Sequence, residues 1–333
     1  MTTYIARRLL LLIPLLLGIS VVVFVGMHVI PGDASNALTG QTVTASDIAR
    51  VRQQLHLDQP IVVQYWYFLS GVLHGDFGVS LRTHDAVLQD IGQALPTTIQ
   101  LTIAALLIAI VAGISTGILA AARRGSLVDT LAMSTVLVGV SMPVFWTGIL
   151  LLILFGGALQ WLPVGGTLDT SMTLRRVTGM TVVDSALTGN WAALGSSVAH
   201  LVLPAITLAL WPTASIARMT RTTMVEELGA NHVRTARSKG LPTRVVVWKH
   251  ALRNALIPVV TVIGLQLGLL LSGAVLTETV FALPGIGQLV VTSILARDYP
   301  VVQGIVIVAA FLFVMVNLGV DVLYALLNPR IEY

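Results

Sequence analysis

The chain has 333 residues, 56% of them hydrophobic and only 10% charged, and it contains no cysteine. Soluble domains carry about 25% charged residues, so the composition excludes an ordinary soluble domain and predicts an all-α integral membrane protein. The net charge of +4 comes from 17 Arg and two Lys set against 15 acidic residues; it lies mostly beside apolar runs, so it is not a nucleic-acid footprint, and disulfides and thiolate metal sites are excluded.

In chain order, Arg7 and Arg8 precede an apolar run from Leu9 to Ile30, 22 residues long. The apolar core of a signal peptide is about 7–15 residues, so this run is read as a retained transmembrane helix, residues 1–30. Residues 31–96 are more polar but carry helical spacing: Ile48, Val51 and Leu55; then Ile61, Tyr65, Phe68 and Val72 after Pro60; then Val87, Leu88, Ile91 and Leu95. They are expected to form a small helical cap outside the membrane, with Asp76 in a turn rather than acting as an acid.

Residues 97–333 are read as a core of five further spans, six in all. The second, Thr97 to Ala122, places Ala109, Gly113, Gly117 and Ala121 at i+4 steps, a small-residue stripe that lets another helix approach. The third, about Leu131 to Phe155, is expected to bend at Met142-Pro143, because proline removes a backbone hydrogen bond and clashes with the preceding turn. A long outer segment to about His200 has no readable periodicity. The fourth span starts near Leu201 and carries Pro204 and Pro212, so it is expected to be kinked. The fifth, Asn254 to Leu276, carries Gly264, Gly268 and Ser272 as a second close-packing face, with Gln266 as a helix-packing or path residue. The last runs from Val301 to Leu327; its Asn317 and Asp321 are read as a packing hydrogen bonder and an interfacial ion-pair former.

Between the fourth and fifth spans lies a basic stretch, Arg218 to Arg253, holding eight of the 19 Lys and Arg residues. Asn231 is the expected N-cap of a short helix, His232 to Lys239, and Gly240 with Pro242 the expected stop, Gly240 at positive φ. Val233 and Ala236 share one side, and a surface of this kind suits docking into a groove on another protein. With both termini inside, 13 basic residues fall in the inner segments and six (Arg50, Arg52, Arg82, Arg175, Arg176, Arg297) in the longer outer ones. That asymmetry supports cytoplasmic termini.

The basic stretch resembles the cytoplasmic "EAA" loop of ABC importer permeases. Ala236, Gly240 and Leu252 keep the general pattern; Arg234 and Arg253 depart from it. R-T-A-R-S-K-G-L (234–241) with K-H-A-L-R-N-A-L-I-P (249–258) is similar to the dipeptide, oligopeptide and nickel branch. So are L-D-Q-P-I-V-V-Q-Y (57–65), G-D-F-G-V-S-L (75–81), L-Q-W-L-P-V-G-G (159–166), E-T-V-F-A-L-P-G-I-G-Q-L (278–289) and R-D-Y-P-V-V-Q-G (297–304). The closing N-P-R differs from the usual D-P-R at Asn328.

The resemblance implies a type I ABC importer permease with six transmembrane helices in the inner membrane of a bacterium. It implies three kinds of partner: a second homologous permease, two ATPase subunits or domains, and an extracytoplasmic substrate-binding protein. The ATPase-coupling residues would be Val233, Arg234, Thr235, Ala236, Arg237, Ser238, Lys239, Gly240 and Leu241. ATP and Mg would be bound by the ATPases, with no cofactor in this chain. The carried solute would be a peptide, with glutathione or nickel as alternatives. No Walker A sequence, H-E-x-x-H or G-x-S-x-G occurs, and the seven histidines lack metal-ligand spacing. An ion-coupled carrier is the alternative mechanism; it calls for membrane-embedded charges or inverted repeats, and neither is visible in the sequence.

Overall fold

The computed structural model describes residues 2–29, 53 and 58–327, with side chains over 10–29, 53 and 58–320 except Ser272. The helix expected around Ile48, Val51 and Leu55 lies outside the described residues, as do Asn328 and Arg330, and so does the side chain of Asp321. Among the described residues the regular structure is helical, apart from one isolated β-bridge between Val79 and Ala86. In chain order the helices are α1 (Thr2–Val29), α2 (Ile61–Leu73), α3 (Val87–Ala122), α4 (Leu127–Ser141) and α5 (Val144–Leu151), α5 being prolonged by a π-helix, Leu152–Ala158. After α6 (Thr181–Leu187), α7 (Trp191–Gly229) and α8 (Asn231–Ser238) come a single turn, α9 (Thr243–Val245), and a second π-helix, Val246–Ala251. The chain closes with α10 (Leu252–Val280), α11 (Ile286–Leu295) and α12 (Tyr299–Leu327).

Among the described residues five helical stretches are long and apolar enough to cross a bilayer: Leu10–Val29, Val87–Ala122, Trp191–Gly229, Thr243–Leu271 and Tyr299–Val320. The sixth is the pair Leu127–Ser141 and Val144–Ala158, whose axes differ by 102°. The bend falls at the expected place: Met142 is extended at ψ 137°, and Pro143 opens the next helix. Two boundaries differ from the sequence reading. The helix expected over Val87–Leu95 is not a separate cap piece but the first turns of α3, which runs through Pro96 without a break. Val87 and Ile91 hold those turns by burial against Val301 and Ile305. Likewise Arg218 to Gly229 is not loop but the end of α7, where Thr220, Thr223 and Met224 stay buried at helical spacing.

The chain divides into two compact units, with boundaries inside α3 and α12. The first comprises Met1–Thr98 and Pro284–Met315. Two blocks named from the sequence meet in it: the Asp298 carboxylate, buried, accepts Ser80 Oγ at 2.6 Å and Arg82 N at 3.3 Å. Asp76 holds a turn, its Oδ1 accepting the Gly78 N–H at 2.9 Å. The Thr98 hydroxyl accepts the Ile286 N–H at 2.9 Å and so satisfies a free donor at the start of α11.

The second unit comprises Ile99–Leu283 and Val316–Tyr333. Its core gathers Leu101, Ala105, Ala109, Leu208, Ile216 and Phe281 from α3, α7 and the end of α10. The small-residue stripe of α3 is where α7 lies. A Cβ on Gly113 would sit 2.8 Å from Ile216 Cβ, and one on Gly117 2.5 Å from Thr220 Cβ. The segment between α5 and α7 is ordered by two devices that no periodicity marks. Gly166 donates its N–H to Phe281 O at 3.0 Å, while Gly165 approaches that carbonyl where a side chain would collide. Asp184 in α6 accepts the N–H groups of Val177, Thr178 and Gly179 and the Thr178 hydroxyl, at 2.7–3.1 Å.

Candidate functional site

The basic stretch folds into a short helix suspended between two long ones. α7 ends at Gly229, and Ala230 turns the chain with extended backbone (φ −69°, ψ 153°) before α8 begins at Asn231. Asn231 is therefore the first helical residue and not the cap. The entry is made by the backbone instead: Ala230 N–H donates to Glu227 O, while Ala230 O accepts the N–H groups of Val233 and Arg234, each at 3.1 Å. The exit is as expected. Gly240 has φ +75°, its N–H donates to Arg237 O at 2.9 Å, and Leu241 N–H reaches back to Ala236 O at 3.4 Å. This is a Schellman closure, which satisfies carbonyls that the helix end would leave open.

Val233 and Ala236 do not face outward. Both are buried in a cluster with Ile118 and Ala121 of α3, Met224 of α7, Val246, Val247 and Ala251 of the second π-helix, and Leu252 and Ala255 of α10. The helix is too short to hold itself in water, so this apolar anchor gives it its shape. What it offers outward is the opposite face: Arg234, Thr235, Arg237, Ser238 and Lys239 are all exposed, and Gly240 and Leu241 follow them at the surface. The two arginines, one turn apart, make no ion pair among the described residues.

Sequence reasoning missed two polar links, one at this helix and one further up α7. The Glu227 carboxylate, near the end of α7, lies 3.4 Å from His232 Nε2 and accepts Asn254 Nδ2 at 3.3 Å, so it touches both α8 and α10. Further up α7, Arg221 makes a two-pronged pair with Asp129 of α4, at 2.6 and 2.7 Å. An open groove of about 600 Å³ lies beside the turn into α8, lined by Arg124, Arg221, Thr222, Val225, Glu226, Gly229 and Ala230. Arg124, read from the sequence only as a topology marker, belongs to it, whereas Arg123 does not.

The expected close-packing face of α10 is distributed differently. Gly264 meets the chain's own α12: a Cβ there would overlap the Val320 side chain. Gly268 is buried, and Ser272 has no described side chain. Gln266 is buried, and its Oε1 has no partner among the described residues. Among those residues no cluster of three His, Asp or Glu is placed to hold a metal.

α8 is thus a short helix anchored by its apolar side and presenting a basic side. Residues 113–333 match the model for the binding-protein-dependent transport system inner membrane component, and residues 1–102 match the N-terminal model of the same family. The chain belongs to this family. Relatives align from end to end. The dipeptide transport system permease protein DppB of Alkalihalophilus pseudofirmus is 44% identical over 333 residues, all of both chains. The di/tripeptide transport system permease protein DppB of Pseudomonas aeruginosa is 45% identical over 334 residues, covering 100% of this chain and 99% of that one. The glutathione transport system permease protein GsiC of Salmonella typhimurium is 41% identical over all of both chains. The binding-protein-dependent permease described here is thus a multi-pass membrane subunit of an ABC importer with the type I permease fold. It is not an enzyme; ATP hydrolysis belongs to partner subunits.

Proposed function

We infer that this permease forms half of a path for dipeptides or similarly short peptides across the inner membrane of a bacterium. A second, homologous permease supplies the other half, an extracytoplasmic binding protein delivers the solute, and two ATPase subunits or domains bind ATP and Mg below. Both termini are cytoplasmic. The peptide assignment rests on the end-to-end relatives named for dipeptides and di/tripeptides. Glutathione, the solute named for the 41% relative, is the second reading.

The observation that carries the coupling role is the orientation of α8. Its apolar side is fixed to α3, α7 and α10, and Arg234, Arg237 and Lys239 face outward. Closure of the ATPase dimer would move a surface docked on that basic face. Because α7 is helical without an internal proline from Thr213 to Gly229, displacement at its foot is passed along that length. Alternating access follows when the two positions of α8 differ in the free energy of the inward- and outward-open states. The side chains projecting from α10, Gln266 among them, would line or pack beside the path.

Reconstitution tests both parts. Labelled dipeptide should enter proteoliposomes only with ATP inside and the binding protein outside, and unlabelled glutathione should compete poorly. Uptake driven by a proton or sodium gradient without ATP would transfer the chain to the ion-coupled class. Orientation is tested in sealed cells, cleanly because the chain has no cysteine. Cysteine at Thr188, an exposed position, should react with an impermeant reagent, and cysteine at Ser238 should not.

A further inference from the structure

Between Asp58 and His74 lies a helix whose chemistry does not suit the aqueous cap expected for this part of the chain. α2 reads I-V-V-Q-Y-W-Y-F-L-S-G-V-L and contains no charged residue. Tyr65 and Phe68, on one side, meet Phe24 of α1, with ring centroids 5.3 and 5.7 Å away. An adjacent flank, about 100° round the helix, holds Val62, Trp66, Leu69 and Leu73, a stripe at i, i+4, i+7 and i+11. Val62, Trp66 and Leu73 are 75%, 65% and 74% exposed, and no residue of α2 is buried. An uncharged helix with an open stripe of large apolar side chains belongs in an apolar medium, whereas a helix on an aqueous surface carries a charged or strongly polar face. Its internal polar contacts turn toward α1 or its own entry: Gln64 Oε1 meets His28 Nε2 at 2.9 Å, and Gln64 Nε2 donates to Gln59 O at 2.8 Å.

Depth supplies the second argument. The apolar span of α1 runs Leu10–Val29. Ser20, ten residues beyond Leu10, stands about 15 Å along that span at 1.5 Å per residue, near the middle of a hydrocarbon layer about 30 Å thick. Ser20 Oγ donates to Leu17 O at 2.8 Å and so accepts the Tyr65 hydroxyl at 2.9 Å. The Tyr65 side chain therefore reaches the middle of the span, while Gln64 lies at its Val29 end beside His28. The neighbouring surface of α1 is itself apolar and open, with Val22 71% exposed. The outer stripe of α2 continues it.

We propose that α2 is embedded in the outer half of the bilayer beside α1, with Val62, Trp66, Leu69 and Leu73 facing lipid acyl chains. This rests on α1 crossing the membrane. The protein would then enter the outer leaflet a second time between its first and second spans.

The test uses the assembled transporter in liposomes of phosphatidylethanolamine and phosphatidylglycerol. Nitroxide labels are placed on single cysteines at Val62 and Leu73, with Val22 as the lipid standard and Thr188 as the aqueous one. Collision with oxygen and with a polar nickel chelate should give Val62 and Leu73 the high oxygen-to-nickel ratio of Val22. An aqueous ratio at Val62 and Leu73 with a lipid ratio at Val22 overturns the proposal alone. An aqueous ratio at Val22 overturns the membrane reading of α1 and the proposal with it. Exclusion of both reagents, relieved when the second permease or the binding protein is left out, means that a protein covers the stripe and also overturns it. Unlabelled Val62→Cys in sealed cells gives an independent readout: it should resist an impermeant maleimide that modifies Thr188→Cys.

Discussion

Arg221 and Asp129 are 92 positions apart and joined atom for atom: Nε to Oδ1 at 2.6 Å and Nη2 to Oδ2 at 2.7 Å. Oδ2 also accepts the Gly125 N–H at 3.0 Å, and the Ser126 hydroxyl caps α4 by accepting the Asp129 N–H at 3.4 Å. The pair fixes the first turn of the broken span to α7, about two turns above the foot of α7 where α8 begins. It is therefore placed to carry a displacement of α8 into the helix pair that bends at Met142-Pro143.

Substituting Asp129 by Ala should leave the permease inserted but cut ATP-driven uptake roughly tenfold, the scale of an ordinary coupling free energy. Arg221→Lys should behave similarly, because an ammonium cannot form the two parallel bonds. The exchange Asp129→Arg with Arg221→Asp should recover part of the uptake. Uptake by proteoliposomes, normalised to assembled complex, measures each. Equal loss in the exchange and in both single variants would mean that the pair has no joint role.

The close approaches predict a graded packing series. Gly117→Leu drives a side chain into Thr220 and the Ala217 carbonyl, and Gly264→Leu drives one into Val320. Overpacking costs about 1–3 kcal/mol where neighbours can yield, and the Ala217 carbonyl is backbone and yields little. Both variants should lower the thermal midpoint of the purified complex by several degrees. Gly195→Ala, with nothing within 4 Å of the added carbon, should not.

These contacts were legible in the sequence to different degrees, and the reasons are physical. Gly113 and Gly117 fall at a helical repeat, so their stripe is visible in one dimension. Gly240 is followed closely by Pro242, and a residue that needs positive φ next to one that cannot continue a helix marks the stop. The pairing of Asp129 with Arg221 has no local trace, since it depends on two helices meeting. The direction of Val233 and Ala236 was misread for a related reason: a small apolar side can face a partner or the chain's own core, and only packing decides. The two π-helices carry no marker in L-I-L-F-G-G-A or V-V-W-K-H-A. The segment between α5 and α7 was unreadable because Asp184 organises it through backbone N–H groups, which nearly every residue possesses.

Asp184 predicts an acid-sensitive segment between α5 and α7. Burial pushes its carboxyl upward, but the Thr178 hydroxyl and the N–H groups of Thr178, Val177 and Gly179 outweigh burial and hold it below the ordinary value of 3.8. A carboxyl lowered on folding adds stability that is complete above the unfolded value and is lost as pH falls through the folded one. Hydrogen exchange over residues 177–184 should therefore stay slow from neutral pH down to the ordinary carboxylate range. Once the intrinsic pH dependence of exchange is removed, protection should fall below pH 3.8. Asp184→Asn turns an amide NH2 toward a backbone donor and leaves one unsatisfied, a cost of about 1–3 kcal/mol. It should speed exchange there at neutral pH; unchanged protection in Asp184→Asn would mean that other contacts hold the turn.

The last prediction separates the two sides of α8. Arg234→Glu with Arg237→Glu alters only exposed atoms, so the permease should insert, assemble and accept the docked binding protein. Solute-stimulated ATP hydrolysis and uptake should nonetheless collapse, since like charges would replace attraction at the ATPase surface. Val233→Asp acts on the other side. It places a carboxylate in the cluster with Met224, Val246 and Ala251, and should release the helix and reduce assembly as well as transport. Gly240→Val tests the closure: nothing lies within 4 Å of the added carbon, so the whole penalty is the strain of a β-branched residue at φ +75°, about 1–2 kcal/mol. That variant should assemble but couple poorly, and Gly240→Asn, which tolerates the left-handed region, should recover much of the loss. Charge reversal at Arg123, exposed and outside the groove, is the control for basic charge in general. Normal transport by the inserted Arg234/Arg237 double variant would reduce the stretch to an orienting positive charge, with no part in transmitting ATPase motion.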